Sequence, residues 1–357
     1  MKHIELEYVE PASYFPPECL AYFEREDARL SKLRAALLGH AVGDALGVPV
    51  EFCSRKALAA QRVSDMVGWG THPVPAGTWS DDTSMVLATL DSLKGDKIDL
   101  EEIMGNFALW VRENKYTATG TLFDIGGSCH AAIERYINGV RPATACGLDG
   151  EGANGNGSLM RILPMAMYLH AREYDEKEAI EIIHKTSALT HAHMRSKIAC
   201  GIFAFIVWEL MDSPCEGSIL QGLVRAKNFY RQECEAKLFD ERLFKRIGRA
   251  FYIDEKAENL PMLTEDEIQS TGYVIDTLEA AVWCVLTTND YKSCVLKAVN
   301  LGSDTDTVAA IAGSLAALLR GVDTIPEPWL TTLKSREYIE ALAKEAFESW
   351  YEATDEE

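Results

Sequence analysis

Nine cysteines stand at positions 19, 53, 129, 146, 200, 215, 234, 284 and 294, and no two of them are at CxxC spacing. An odd, scattered set of this kind excludes a zinc ribbon and a disulfide framework, and makes a reducing cytoplasm the expected home. Long apolar runs are missing too. Ile198 to Trp208 is the longest, too short to cross a bilayer, and the opening MKHIELEYVEPASYF has no apolar signal core. Positive charge is in deficit: 35 basic residues face 55 acidic ones, a formal net charge of -20, which argues against nucleic acid or an anionic membrane as partner. No run of alternating β-branched residues is bounded by hairpin turns, and no βαβ rhythm appears, so the expected fold is all-α. Without an internal repeat or a low-complexity linker, one compact helical domain is expected over residues 29–357. Residues 1–28 read as an irregular N-terminal extension broken by Pro11, Pro16 and Pro17.

What the chain does have is two acidic helix starts more than two hundred residues apart. Gly77 to Leu90, GTWSDDTSMVLATL, sets Ser80, Asp81, Asp82 and Thr83 before an apolar run; Leu301 to Ala317, LGSDTDTVAAIAGSLAA, does the same with Asp304, Asp306 and Thr307. One such start reads as an ordinary N-cap, since a Ser, Thr or Asp oxygen accepts from the first free N–H groups and a carboxylate suits the positive end of the helix dipole. Each stretch, however, offers more oxygens than a cap uses. The segment after Asp306 carries no charge before Arg320, so its helix is expected to be buried. Buried carboxylates need a cation, and neither motif holds a Lys, Arg or His. All-oxygen donors favour Mg²⁺, Mn²⁺ or Ca²⁺ over zinc, and two divalent ions are expected.

In chain order, a first helix starts near Asp27 to Ser31, runs through the small residues Gly39, Ala41, Gly43 and Ala45, and ends at Pro49. Glu51, between Val50 and Phe52, reads equally as a surface position or as a fifth carboxylate of the metal site. Arg55 to Pro75 is expected to form a loop over the site, and Leu100 to Val111 an amphipathic helix. Asp124 stands where it would cap the helix of Ala131 to Tyr136. The glycine-rich loop 147–164 precedes another helix; it is either plain loop or a backbone cradle for an anion, with Asn154, Asn156 and Ser158 as added polar groups. Thr190 is the expected cap of a helix over 190–210, and beside it His191 is a structural donor or a substrate contact. Tyr273 taken alone is a core aromatic. Glu173 to Ala188, Gln221 to Tyr230, Ala236 to Phe251 and Ser335 to Tyr351 complete the expected helices.

Several of these stretches together resemble the ADP-ribosylglycohydrolase family, which includes dinitrogen-reductase and arginine ADP-ribosyl hydrolases and some crystallins. GDALGVPVEF at 43–52, GTWSDDTSM at 77–85, TGTLFDIG at 119–126, GNGSLMRILP at 155–164, LTH at 189–191 and GYVIDTLEAAVW with AVNLGSDTDTVAAIAG within 272–313 follow one another in the family's order. The resemblance spans roughly residues 30 to 320 and implies an all-α, orthogonal helical bundle with two Mg²⁺ or Mn²⁺ ions at the bottom of a cleft. It implies metal ligation by Ser80, Asp81, Asp82, Asp304, Asp306 and Thr307, and catalytic roles for Glu51 and Asp124. Gly155, Asn156, Gly157, Ser158, His191 and Tyr273 are implied to bind ADP-ribose. The family often has Thr where Ser80 stands and Gly where Ser303 stands; both changes leave the ligand oxygens in place.

The activity so implied is metal-dependent hydrolysis of the glycosidic bond between ADP-ribose and an acceptor, with modified protein arginine the preferred substrate. ADP-ribosyl serine, O-acetyl-ADP-ribose, a modified nucleobase, and a non-catalytic binder or crystallin-like relative are the alternatives. A helical prenyl-diphosphate enzyme would need a third carboxylate one turn on, and the residue four after Asp81 is Met85.

Overall fold

The computed structural model describes residues 26–95, 97–233 and 260–352. Its elements are α1 (Glu26–Gly47), α2 (Arg55–Ala60), α3 (Asp81–Asp91), α4 (Leu100–Glu113), α5 (Gly127–Ile137), α6 (Leu163–Ala171) and α7 (Glu176–Ser187). There follow α8 (Met194–Asp212), α9 (Glu216–Glu233), α10 (Val274–Leu286), α11 (Tyr291–Asn300), α12 (Thr305–Arg320), α13 (Glu327–Thr332) and α14 (Arg336–Glu352). Among the described residues there is no strand, only two isolated bridges, Leu148 with His191 and Gly155 with Tyr273. The all-α expectation holds. The expected helix Ala236 to Phe251 lies outside the described residues.

The frame is the pairing of α1 with α12, the most extensive helix contact in the bundle. Glycines make it possible. A Cβ on Gly43 would stand 2.1 Å from the Ala309 carbonyl oxygen, and one on Gly39 2.5 Å from that of Gly313. At the end of α1, Gly47 packs so tightly that a Cβ would lie 2.3 Å from Asp306 Cα, and Thr305 Oγ1 donates to the Gly47 carbonyl at 2.8 Å. This close approach brings the start of α12 against the Val48–Val50 turn that leads to Glu51. Helices α8 and α10 are buried on nearly every side, as their apolar composition requires.

Local signals set most of the ends. Asp99, Asp175 and Asp290 cap α4, α7 and α11 by accepting from backbone N–H groups. Two expected caps are corrected. Asp124 makes no cap: α5 begins after Gly126, which has no side chain to cap with. Thr190 is not the cap of α8 either, because His193 Nδ1 accepts from Arg195 N at 3.1 Å and fills that place. Arg55 to Pro75 is loop only from residue 61 onward, since Ser54 caps the short helix α2, Arg55–Ala60.

Candidate active site

Helices α3 and α12 point their N-termini at one cavity of about 370 Å³, within the usual range for small-molecule sites. Asp81 and Asp82 lie in the first turn of α3, while Asp304 precedes and Asp306 lies in the first turn of α12; all four line the cavity. The helix dipoles partly offset their mutual repulsion. Capping is done by other groups. Ser80 Oγ accepts from Asp82 N at 3.4 Å. Asp44, reaching across from α1, accepts from Ser80 N at 2.9 Å, Thr83 N at 3.1 Å and Thr83 Oγ1 at 2.7 Å. Asp304 caps nothing with its side chain.

The acidic groups are thus held with oxygens to spare. Asp304 Oδ2 accepts from Asn156 Nδ2 at 2.9 Å, Asp82 Oδ2 from Thr307 Oγ1 at 3.3 Å, and Asp81 Oδ2 from Gly126 N at 3.2 Å. Asp82 Oδ1 and Asp304 Oδ1 are buried with no partner. Burial, reinforced by neighbouring carboxylates, drives the carboxyls of Asp81, Asp82 and Asp306 well above their ordinary range. Burial also raises Asp304, against the hydrogen bond from Asn156, and pushes Asp44 up to about 6. Orphaned hard oxygens in a buried, cation-free protein environment fit a divalent ion.

Glu51 closes the cavity's upper edge. It is 7% exposed, and burial, followed by the charges of Asp124, Asp304 and Asp81, pushes its carboxyl up to about 9. Its segment is tied to the second acidic stretch by a reciprocal backbone pair, Phe52 N to Ser303 O at 2.7 Å and Ser303 N to Cys53 O at 2.8 Å. Above it the loop through Gly70 is pinned down: Thr71 N donates to Pro49 O at 2.8 Å and Thr71 Oγ1 to Glu51 O at 2.7 Å. His72 Nε2 consequently lies 2.5 Å from Glu51 Oε2, and its ring contacts those of Phe123 and Phe52, with centroids 5.2 and 6.3 Å away. Glu51, His72 and Asp124 each offer a ligand atom within 4.8 Å of the others, a further group able to hold a metal ion.

The opposite wall is the glycine-rich loop, with Gly155, Asn156 and Gly157 lining the cavity beside His191 and Cys129. Three residues named from the sequence do not line it. Ser80 lies one layer below, against Asp82. Ser158 is fully buried behind the loop, between Ser187 Oγ at 2.9 Å and Cys200 Sγ at 3.5 Å. Tyr273 is half-buried at the start of α10, bridged to Gly155 through the backbone. Asp44 and His72 were not singled out from the sequence. Asp44 carried a signal, a charge among the small residues of a helix face; His72 carried none, being one polar residue in a Gly- and Pro-rich loop.

A helical protein with a cleft floored by two acidic helix starts is the class that fold and site define. The chain belongs to the ADP-ribosylglycohydrolase family, whose model matches residues 25–356. It is therefore a glycosyl-bond hydrolase. An ADP-ribosylarginine hydrolase of Serratia proteamaculans is 32% identical over 93% of this chain and 82% of its own. The ADP-ribosyl-[dinitrogen reductase] glycohydrolase of Rhodospirillum rubrum is 31% identical over 84% of this chain and 88% of its own. A solved structure titled as an ADP-ribosylglycohydrolase-related protein complex matches with a TM-score of 0.71 at 28% identity, covering 90% of this chain and 99% of that one.

Proposed function

We propose that this chain removes ADP-ribose from ADP-ribosylated arginine side chains of proteins, using two Mg²⁺ or Mn²⁺ ions. The observation that carries the metal is the pair of buried, unpartnered oxygens, Asp82 Oδ1 and Asp304 Oδ1, on two residues that line the same cavity from the two helix starts. The choice of arginine rests on the relatives from Serratia and Rhodospirillum, whose names specify an ADP-ribosylarginine and a modified protein.

Asp81, Asp82, Asp304, Asp306 and Thr307 would hold the ions, with Ser80 bracing Asp82 from below, and the ions when bound supply Lewis-acid polarisation and a water of lowered pKa. The cavity residues do the rest. Gly155, Asn156 and Gly157 receive the ribose and diphosphate, Ser158 braces that loop from behind through Ser187 and Cys200, Tyr273 flanks it, and His191 holds a ribose oxygen. Glu51 and Asp124 place negative charge beside the anomeric carbon as the glycosidic bond lengthens and positive character develops there. His72 Nε2 lies beside Glu51 Oε2 and holds that carboxyl in place. We assign the protein to a reducing, cytoplasmic compartment, in keeping with the seven described cysteines, all free. The net charge of -20 argues against nucleic acid as a partner.

The test is release of ADP-ribose from ADP-ribosyl-arginine and ADP-ribosyl-serine peptides with Mg²⁺, with Mn²⁺ and with chelator. Chelator-sensitive release from the arginine peptide alone is expected. Release from the serine peptide alone would move the linkage, and ADP-ribose binding without release from either would replace the hydrolase by a binder.

A further inference from the structure

Arg161 is a fully buried guanidinium whose Nε and Nη1 have no partner, and among the described residues no carboxylate lies within ion-pair distance of it. Its face lies 4.8 Å over the ring of Phe107, and Nη2 donates to Thr186 O at 3.1 Å and to Thr190 Oγ1 at 2.9 Å. Thr190 Oγ1 in turn lies 2.9 Å from His191 Nδ1. The direction of this chain follows from the chemistry of its members.

A guanidinium only donates, so Thr190 Oγ1 accepts from Arg161. The hydroxyl has one proton to give. Cys129 is the other polar side chain close by; burial pushes its thiol up to about 12, so it stays protonated and turns to the Gly157 carbonyl at 3.7 Å. Thr190 also lies within reach of that sulfur, but a protonated thiol is a weak acceptor, so the Thr190 proton goes to the unprotonated imidazole nitrogen, His191 Nδ1, at 2.9 Å. Burial, with Arg161 adding to it, lowers the His191 imidazole to about 3, so the ring is neutral and carries a single proton. That proton is on Nε2. The buried ring is oriented with Nδ1 on the Thr190 hydroxyl, which leaves Nε2 as the nitrogen on the cavity side.

We infer that Arg161 and Thr190 are positioning residues that fix His191 as the Nε2–H tautomer, so that it presents a hydrogen-bond donor, not an acceptor, to an oxygen of the ligand at the Gly155–Gly157 wall. Nε2 faces that wall, 3.5 Å from where a Cβ would stand on either glycine. An imidazole with a bare Nε2 would repel a phosphate oxygen lone pair, whereas the fixed tautomer donates its Nε2–H to it. An unneutralised guanidinium one hydroxyl away polarises the relay in the same sense, and a carboxylate partner for Arg161 would cancel that effect. This inference rests on ADP-ribose being the ligand.

The experiment is NMR of the full chain labelled with ¹⁵N-histidine, with His191→Gln used to assign the ring, together with calorimetric ADP-ribose binding to Thr190→Val and Thr190→Ser. In the ligand-free wild type, His191 is expected to show a protonated Nε2 and an unprotonated Nδ1 at every pH from 6 to 8, and ADP-ribose should shift Nε2 and leave Nδ1 in place. Thr190→Val, nearly isosteric, should weaken ADP-ribose about three- to tenfold, and Thr190→Ser should restore it. A protonated Nδ1 overturns the inference, as does Thr190→Val binding at wild-type strength. If Thr190→Val does not fold, the wild-type spectrum decides alone. A wild-type chain that binds no ADP-ribose would overturn the ligand assignment of the preceding section, whereas the tautomer of the ligand-free ring still supports or overturns this one.

Discussion

Asp304 shows how a residue that looks like a cap becomes free for chemistry. Its carboxylate is buried, takes one hydrogen bond from Asn156 and leaves Oδ1 unsatisfied. Asp304→Asn keeps an oxygen for Asn156 and removes the charge, so hydrolysis should fall about 10²-fold or more, the several kcal/mol that a metal's charge stabilisation is worth. The same variant should melt no lower than wild type in chelator, because a buried unpaired charge has been deleted. Turnover at the wild-type rate would end the metal reading of this residue. Ser303 next door has φ 67°, in the left-handed region where side chains are strained. The resemblance placed glycine there in relatives. Ser303→Gly should raise stability by about 1 kcal/mol with turnover retained, and denaturant midpoints that do not rise would contradict the strain. The metal-site candidates were legible in the sequence because each sits at a helix start, where local chemistry is readable. Asp44 and His72 were not, because their partners are 36 and 21 residues away in the chain.

Among the elements, α1 and α12 decide whether the two acidic stretches meet. Gly43→Ala would set a methyl against the Ala309 backbone, an atom that cannot rotate away, and should cost about 1–3 kcal/mol or more. Because the clash lies between the helices, the loss should appear both in denaturant stability and in divalent-ion affinity. A fall in stability with unchanged ion affinity would mean that the pairing does not position the site. Helix ends followed local rules where an Asp was the cap, as at Asp99 and Asp175. They departed from those rules where a more distant or unexpected group did the work. Asp44 caps α3 from another helix, and His193 displaced Thr190 at α8, whose hydroxyl is taken by Arg161 and His191. The short helices α2 and α13 leave no helical period in the sequence, because six residues are too few to show one.

Across the whole molecule, burial has stripped three histidines of their ability to charge. His40 and His191 are lowered to about 3 and His184 to about 4, burial being the largest cause in each case. In the unfolded chain each returns to its ordinary 6.5. Below that pH the unfolded state binds protons that the folded state does not, so stability is fully present above about pH 6.5 and falls as pH drops toward 4. Each histidine adds up to about 1.4 kcal/mol per pH unit to the slope. His184, whose Nε2 lies 2.8 Å from Tyr230 OH, does not line the cavity, whereas His191 lines it and His40 touches the Asp82 backbone. His184→Gln should flatten the slope by one proton in urea denaturation at saturating Mg²⁺ between pH 7 and 5. An unchanged slope would show that this imidazole charges in the folded state.

The amino-acid sequence by itself determined that the chain is all-helical, where most helices lie, and that two sets of hard oxygens open two apolar helices, because period, cap chemistry and burial tendency are properties of neighbouring residues. Only the tertiary structure decided that the two sets share one cavity, that Glu51 and Asp124 close it with His72, that Asp44 takes over the capping, and that an unpaired arginine stands behind His191. These depend on side chains from separate helices meeting at hydrogen-bond distance, and helix packing, not local propensity, sets those distances.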